Sequence, residues 1–422
     1  MAAVLERSDP YHLMYVGRSS TQINRDFGAR LEELADQGFD VHVLAAPDGG
    51  FTELADRGIH CKRLPVGYRG NLPGLAGAFF IIQAYFLEHR PVLVHGHDGL
   101  LAWMTAMAGS YASVPAIFAT VEGYPLPGSS VGTEGVGSVG LRMQLPRLVE
   151  ALESRLERLV SPLVTKGEIS VYQHLARLVD KYIVTTEREF EALEAADWLP
   201  SNKLEMVVGG RGVDLDAYTP EGDDGVEGAS GREPGHMPDH WRRVVGYVGS
   251  LRADRGGLDL LRVIDRMSEQ RRDAGWLICP LEGVPSSVET KLEHRAERGD
   301  VRLYDGLDDP SFYRLIDLYA YPRGEHRASS GMMKAQAMRL PVVAYDTPGA
   351  ATVVANGHTG RLVPAGDVDE FTRTVRGLLD DPKRCRDFGV RARARTTQRF
   401  NRRDVDEQVM RLYDTVLEEQ LG

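Results

Sequence analysis

Apolar residues fall along this chain in short unbroken runs, separated by longer amphipathic stretches. Residues 12–17 (HLMYVG), 39–47 (FDVHVLAAP), 92–98 (VLVHGHD), 116–123 (AIFATVEG), 181–186 (KYIVTT) and 203–210 (KLEMVVGG) are such runs. Brief apolar runs of this kind read as strands covered on both faces. Between the first two, residues 25–37 place Phe27, Leu31, Leu34 and Ala35 on one helical face, and Gly38 ends the helix. The second half repeats the pattern at 244–251 (VVGYVGSL), 276–281 (WLICPL), 301–306 (VRLYDG), 318–322 (LYAYP) and 341–346 (PVVAYD), with helical sequence between. After Asp367 the chain reads as helix with short breaks. Strands alternating with helices predict parallel sheets with helices on both faces. The expected fold class is α/β, with two Rossmann-like domains facing a deep cleft. Ligands in such folds collect at the carboxyl edges of the strands. The sequence shows no short-period repeat and no heptad array.

Length supports the division. At 422 residues the chain exceeds one ordinary core and suits two domains of about 200 residues each. Residues 219–240 (TPEGDDGVEGASGREPGHMPDH) have almost no apolar content and read as a linker with a disordered insertion. The predicted organisation is an N-terminal domain over 1–218, that linker, a second domain over 241–400, and a C-terminal helix over 401–422 that packs back on the first domain. Residues 126–140 (LPGSSVGTEGVGSVG) read as a mobile loop after a strand end, and 141–180 as a helical hairpin.

Hydrophobic residues make up 42% and charged residues 26%, the balance of a soluble globular protein. The net charge of −11 provides no basic field and argues against a nucleic-acid partner. Three cysteines without metal-like spacing fit a reducing compartment. Residues 1–10 (MAAVLERSDP) lack the apolar stretch of a secretory signal, so the expected location is cytoplasmic. The longest apolar run, residues 75–87, is broken by Gly77 and Gln83 and falls short of the roughly 20 residues of a membrane span. It reads as a buried helix. Its cluster of Phe79, Phe80, Tyr85 and Phe86 leaves a peripheral contact with the inner face of a membrane open.

The richest stretch is 341–367, PVVAYDTPGAATVVANGHTGRLVPAGD. A β-branched run ends at Asp346, and Thr347-Pro348-Gly349 turns into a short helix, which Gly357 and Gly360 close before Leu362-Val363. A strand, a glycine-containing turn and a helix N-terminus form a candidate anion site. The wording resembles the donor-binding segment of the family 4 retaining glycosyltransferases, P-V-V/I-A-x-D-x-x-G-x-x-x-x-V-x-x-G-x-T-G-x-L-V-P-x-x-D. GRGVDLDAYTP (210–220) resembles their G-x-G-V-D-L-x-x-F-x-P block, and YVGSLRADRGGLDLL (247–261) their V-G-R-L-x-x-x-K-G-x-x-x-L block. Three blocks in order, over about 200 residues, are more specific than any one of them.

The resemblance implies a GT-B fold and transfer of a sugar from a UDP- or GDP-linked donor to an acceptor on the N-terminal domain. It implies retention of anomeric configuration, no bound metal and no cofactor beyond the nucleotide sugar as co-substrate. The leaving diphosphate needs cations or backbone amides. Arg255 stands at the family's Lys position and Ser250 at its Arg position, with Arg252 two residues on as a substitute cation. The family's Glu-x7-Glu pair falls on His326 and Lys334, with Glu325 one residue out of register, and Arg339 replaces a Gly. Lys334 cannot accept a hydrogen bond from ribose hydroxyls. The amides of Ser329, Ser330, Gly331 and Met332 open a helix that can hold the diphosphate. Asp305 and Gly306 fall in the loop that meets the base. On the acceptor side Glu122 stands where the family carries a His, and a carboxylate there orients a hydroxyl, stabilises positive charge or acts as a base. His95 and His97 alternate onto one strand face, and His97 is a further catalytic candidate with Asp98 beside it. Ser19, Ser20 and Thr21 take the place of the family's Gly-rich loop. The departures at Ser250, Lys334, Arg339 and Glu122 keep a second reading open, a GT-B scaffold that binds a partner or nucleotide without turnover.

Overall fold

A computed structural model describes residues 10–421, apart from 67–71, 122–176, 197–198, 221–236, 253–255, 282–283, 305–309 and 325–326. Two sheets organise it. The first contains β1 (His12–Ser19), β2 (Asp40–Ala46), β3 (His60–Arg63), β4 (Leu93–Gly96), β5 (Ala116–Val121), β6 (Lys181–Val184) and β7 (Leu204–Met206), in the order β3-β2-β1-β4-β5-β6-β7. The second contains β8 (Arg243–Gly249), β9 (Ala274–Pro280), β10 (Val301–Leu303), β11 (Leu318–Tyr321), β12 (Val342–Tyr345) and β13 (Gly360–Val363), in the order β10-β9-β8-β11-β12-β13. Every pairing in both sheets is parallel. Strand order therefore reverses between β1 and β4, and again between β8 and β11. Those two switch points are where a doubly wound sheet opens a crevice for ligand.

Among the described residues the helices of the first half are α1 (Ser20–Asp36), α2 (Phe51–Asp56), α3 (Leu72–His89), α4 (Leu100–Tyr111) and α5 (Glu187–Ala196). Those of the second half are α6 (Gly257–Gln270), α7 (Ser286–Glu297), α8 (Pro310–Arg314), α9 (Ser330–Ala337), α10 (Pro348–Val353), α11 (Val368–Leu379), α12 (Pro382–Arg399) and α13 (Arg402–Leu421). No helix is long and apolar enough to cross a membrane among the described residues. Along α3, Ile82 and Phe86 are buried while Phe80 and Leu87 are exposed.

The strands differ from expectation mainly at one edge. Strand β3 carries HCKR, with both ends exposed, so it lacks the apolar run that marks the central strands. Helix α1 begins at Ser20 instead of Arg25. The Ser19 hydroxyl accepts from the Gln22 amide and caps it, which sets the start five residues earlier.

Each sheet has its own core. One contiguous cluster surrounds the second sheet, and two clusters cover the two faces of the first. Helix α13 belongs to the first domain's core through Val405, Val409, Tyr413, Val416 and Leu417. The 210–220 block makes that return possible. The Val213 amide donates to the Phe400 carbonyl at 2.7 Å, and the Arg402 amide donates to the Val213 carbonyl at 3.0 Å. Gly212 between them has a φ of 64°, and a Cβ there would lie 2.6 Å from the Arg402 Cα. The left-handed backbone and the close approach both require glycine. This signature is thus a joint between the lobes and the C-terminal helix.

Candidate active site

The pairing of β1 with β4 ends at Val16 and Gly96, so His97 and Asp98 stand beside Gly17 and Arg18 at the first switch point. Asp98 has a φ of 66°, a left-handed conformation that an Asp tolerates better than most residues. Its Oδ2 accepts from the Arg18 amide at 3.0 Å. Its Oδ1 accepts from Arg327 Nη2 at 2.6 Å. Arg327 comes from the second domain, in the segment between β11 and α9. The pair therefore joins the two switch points across the cleft. Burial works to raise the Asp98 pKa, but Arg327 and Arg18, through its amide and its charge, outweigh it and hold the carboxyl at about 2. Asp98 is ionised at any working pH and too acidic to be an efficient base near neutrality.

Behind Asp98 lies a shelf of rings. His97 stacks on Tyr15 with centroids 5.1 Å apart and lies 4.6 Å from Phe27. Burial pushes its pKa down to about 3, so the ring is neutral, and its Nε2 has no hydrogen-bond partner among the described residues. His95 binds Tyr413 through Nδ1 and Thr120 through Nε2 at 2.7 Å. Both histidines share one face, but that face is covered by α1 and α13. His97 supports Asp98 from behind, without an exposed surface of its own. Deeper still, Asp26 pairs with Arg211 at 3.1 Å and Arg25 at 3.3 Å.

Ser19, Ser20 and Thr21 form a helix start, and the open loop expected there does not exist. Besides the Ser19 cap, Ser20 Oγ donates to Asp48 Oδ1 at 2.7 Å and Thr21 Oγ1 donates to the Asp48 carbonyl at 2.9 Å. The Thr21 amide also donates to Asp48 Oδ1 at 3.0 Å. These groups tie α1 to the turn after β2.

On the opposite lobe, Ser329 is the N-cap residue of α9 and makes no side-chain cap bond. The amides of Ser330, Gly331 and Met332 belong to the first turn, where the helix itself provides no acceptor. The N-terminus of α9 thus presents a positive end beside Arg327. The turn that opens α10 behaves differently. Thr347 Oγ1 accepts from the Ala350 amide at 3.2 Å, and the helix is sealed against the Arg327 loop. A Cβ on Gly349 would lie 1.9 Å from the Arg327 carbonyl oxygen and 2.6 Å from the Ala328 nitrogen. The turn anticipated as an anion cradle thus packs against the Arg327 segment, and the first turn of α9 lacks the side-chain cap that α10 has.

Ser250 is buried, and its carbonyl accepts from Tyr247 Oη at 2.7 Å. Its Oγ accepts from the Arg252 amide at 3.4 Å. A different guanidinium reaches this point: a Cβ on Gly249 would lie 2.7 Å from Arg323 Nη1, and Arg323 is buried. Arg323 leaves the end of β11, so both flanks of the second switch point converge on one cation. Lys334 lies with Nζ 4.9 Å from the Tyr218 ring centroid, a cation–π contact with the interdomain joint. Arg339 follows α9 and has a φ of 59°. The Arg that replaces the family's Gly keeps a glycine's backbone at the amino edge of the sheet, remote from the cleft.

Sequence reasoning missed Arg323, Arg327 and Arg18, because only the crossing of two domains gives them a purpose. Glu122, Arg255, Asp305, Gly306, Glu325 and His326 lie outside the described residues.

Known proteins resemble this arrangement. Residues 23–210 match the glycosyl transferase 4-like domain, and residues 242–381 match the glycosyl transferases group 1 family. A D-inositol 3-phosphate glycosyltransferase 2 from Catenulispora acidiphila is 31% identical over 50% of this chain and 51% of its own length. The chain thus spans about half the length of the first curated relatives it matches. An alpha-D-kanosaminyltransferase from Streptomyces kanamyceticus is 24% identical over 84% of this chain and 89% of its own length. Anabaena Alr3699/HepE, crystallised in complex with UDP and glucose, superposes with a TM-score of 0.67 at 14% identity, covering 96% of this chain and 100% of that one. With both halves matched in order and the two doubly wound sheets in place, the chain belongs to the family 4, or group 1, glycosyltransferases and has the GT-B fold.

Proposed function

We propose that this chain transfers a glycosyl group from a nucleoside-diphosphate sugar, UDP- or GDP-linked, to a hydroxyl acceptor, with retention of anomeric configuration. The donor lies on the second domain, its pyrophosphate against the amides of Ser330, Gly331 and Met332 and the guanidinium groups of Arg323 and Arg327. The acceptor lies on the first domain beside Arg18 and Asp98. One observation carries the reading: a charged pair, Asp98–Arg327, spans the two switch points at which this fold takes its ligands. As the glycosidic bond breaks, charge grows on the leaving phosphate, and preorganised cations and amides lower that barrier. When phosphate oxygens take over Arg327, Asp98 is left ionised and free to orient an acceptor hydroxyl. Its low pKa suits orientation better than proton abstraction. The capture of UDP-glucose by a structural neighbour fits such a donor.

A scaffold without turnover is the second reading, and one observation favours it. Lys334, at the position of a family carboxylate, lies against Tyr218 and cannot accept from a ribose diol. Thermal shift with UDP, GDP and their sugars, paired with release of free sugar or nucleotide over hours, separates the two. The transferase reading predicts stabilisation by one nucleotide series together with slow donor hydrolysis. Stabilisation with no release of product in the presence of any glycan, lipid or small-molecule acceptor supports a nucleotide-binding scaffold, and no stabilisation contradicts the transferase reading and leaves only a partner-binding scaffold.

A further inference from the structure

Far from the cleft, at the amino edge of the first sheet, four histidines and an aspartate meet. His12 opens β1, Asp40 opens β2 with His42 two residues on, His60 opens β3, and His89 closes α3. His12 Nδ1 lies 3.0 Å from His42 Nε2. Asp40 Oδ2 lies 2.9 Å from His12 Nδ1 and 3.3 Å from His42 Nε2. One nitrogen from each of His12, His42 and His89 falls within 4.8 Å of the other two.

We propose that His12, Asp40, His42 and His89 form a site for one divalent transition-metal ion of the zinc class. The triangle of His12 Nδ1, His42 Nε2 and Asp40 Oδ2 supplies the first argument. Zinc bonds of about 2.0–2.2 Å to nitrogen and oxygen set neighbouring ligands of a tetrahedron about 3.3 Å apart, and the edges of that triangle, 2.9, 3.0 and 3.3 Å, already approach that spacing, with a His89 nitrogen within 4.8 Å of both imidazoles. Hydrogen bonding satisfies such a triangle poorly. Three atoms that each face both others leave one edge where two lone pairs or two N–H groups oppose, whereas a central cation satisfies all three. The surroundings supply the second argument. His42 Nδ1 lies 2.9 Å from Tyr85 Oη, which fixes the ring with Nε2 toward the triangle. His60 Nε2 lies 3.1 Å from Asp40 Oδ1 and steadies the carboxylate from its other oxygen. Orienting partners of this kind are what metal-bound imidazoles and carboxylates use. His42 is buried, so an ion at its Nε2 is shielded from water on that side. Imidazole with one carboxylate suits Zn(II), Co(II), Ni(II) or Cu(II) over Mg(II) or Ca(II). An ion there ties β1, β2 and the end of α3 together. It lies at the opposite edge of the sheet from the donor and is independent of the proposed transfer reaction.

The test uses the full chain, untagged and stripped with chelator, titrated with Co(II) and then Zn(II). The expected result is a visible absorption band of four-coordinate cobalt that saturates at one equivalent, vanishes with zinc, and is accompanied by a raised Tm. His12→Ala abolishes the band, and His89→Ala, at a half-buried position, weakens binding at least tenfold. Tyr85→Phe weakens it about 10–100-fold. The absence of saturable binding of both ions to the wild-type chain overturns the proposal. Stoichiometric binding that survives both His12→Ala and His89→Ala overturns it equally, since the ion then sits elsewhere.

Discussion

In the proposed reaction Asp98 and the donor phosphate compete for Arg327, which Asp98 holds at 2.6 Å. A charged hydrogen bond of this kind contributes about 1.5–3 kcal/mol, so Arg327→Ala is expected to weaken nucleotide-sugar binding roughly 10–100-fold. Asp98→Asn should act in the opposite sense on binding, because Arg327 loses its resident partner, and should lower turnover. Gly349 shows how little room the segment has. Ala at this position drives a methyl into the Arg327 carbonyl, since a Cβ there falls 1.9 Å from that oxygen, and overpacking against fixed backbone costs about 1–3 kcal/mol. Gly349→Ala should lower the unfolding free energy in urea by that amount and impair donor binding, whereas an unchanged midpoint contradicts the packing described. At this scale the sequence is informative about residue type and poor about partners. Gly349 is marked by its motif. Arg327 is not, because its meaning depends on an aspartate 229 positions earlier.

Among elements, the C-terminal helix α13 covers one face of the first sheet. Arg30 on α1 reaches Asp406 on α13 with Nε at 2.7 Å and Nη2 at 2.6 Å, and both are buried. Burial and pairing disagree in their effects here: burial leads and leaves the Asp406 pKa raised despite its partner. The pair is therefore better read as a specificity device than as a net source of stability. Arg30→Ala should destabilise by about 3–5 kcal/mol, since a buried charge loses its partner, whereas Arg30→Met with Asp406→Leu should cost far less. Denaturant unfolding of Arg30→Ala and of the double variant measures the difference, and equal losses would refute this reading. The central strands are legible from their apolar runs. Edge strand β3 is not, because HCKR alternates no apolar face. The early start of α1 is hidden in a Ser-Ser-Thr run that reads equally as loop or cap until Asp48 is placed beside it.

For the whole molecule, acid sensitivity follows from three histidines held neutral. Burial leads in lowering His42 to about 4, His97 to about 3 and His95 well below its ordinary 6.5. Their folded values lie below the unfolded one, so the unfolded chain binds more protons between about pH 6.5 and 4. Stability is thus fully present above the ordinary histidine value and is lost as pH falls, by about 1.4 kcal/mol per pH unit for each histidine. Urea midpoints of the metal-free chain should fall steeply from about pH 7 to about 4.5, and a flat profile contradicts the burial described. Asp98 adds nothing in that window, because its contribution is lost only as pH falls from the ordinary carboxylate value toward about 2. The two-domain α/β plan is written in the alternation of runs and helices. The contact between the domains is not, since no local pattern encodes which loop ends face each other.

On the proposed reading, donor binding depends on the exchange of Asp98 for a pyrophosphate at Arg327. Calorimetric titration of UDP- and GDP-sugars into the wild-type chain, Asp98→Asn and Arg327→Ala tests this most directly. The expected result is measurable binding of one nucleotide series to the wild type, tighter to Asp98→Asn and at least tenfold weaker to Arg327→Ala. Equal affinity in all three, or no binding to any, contradicts it.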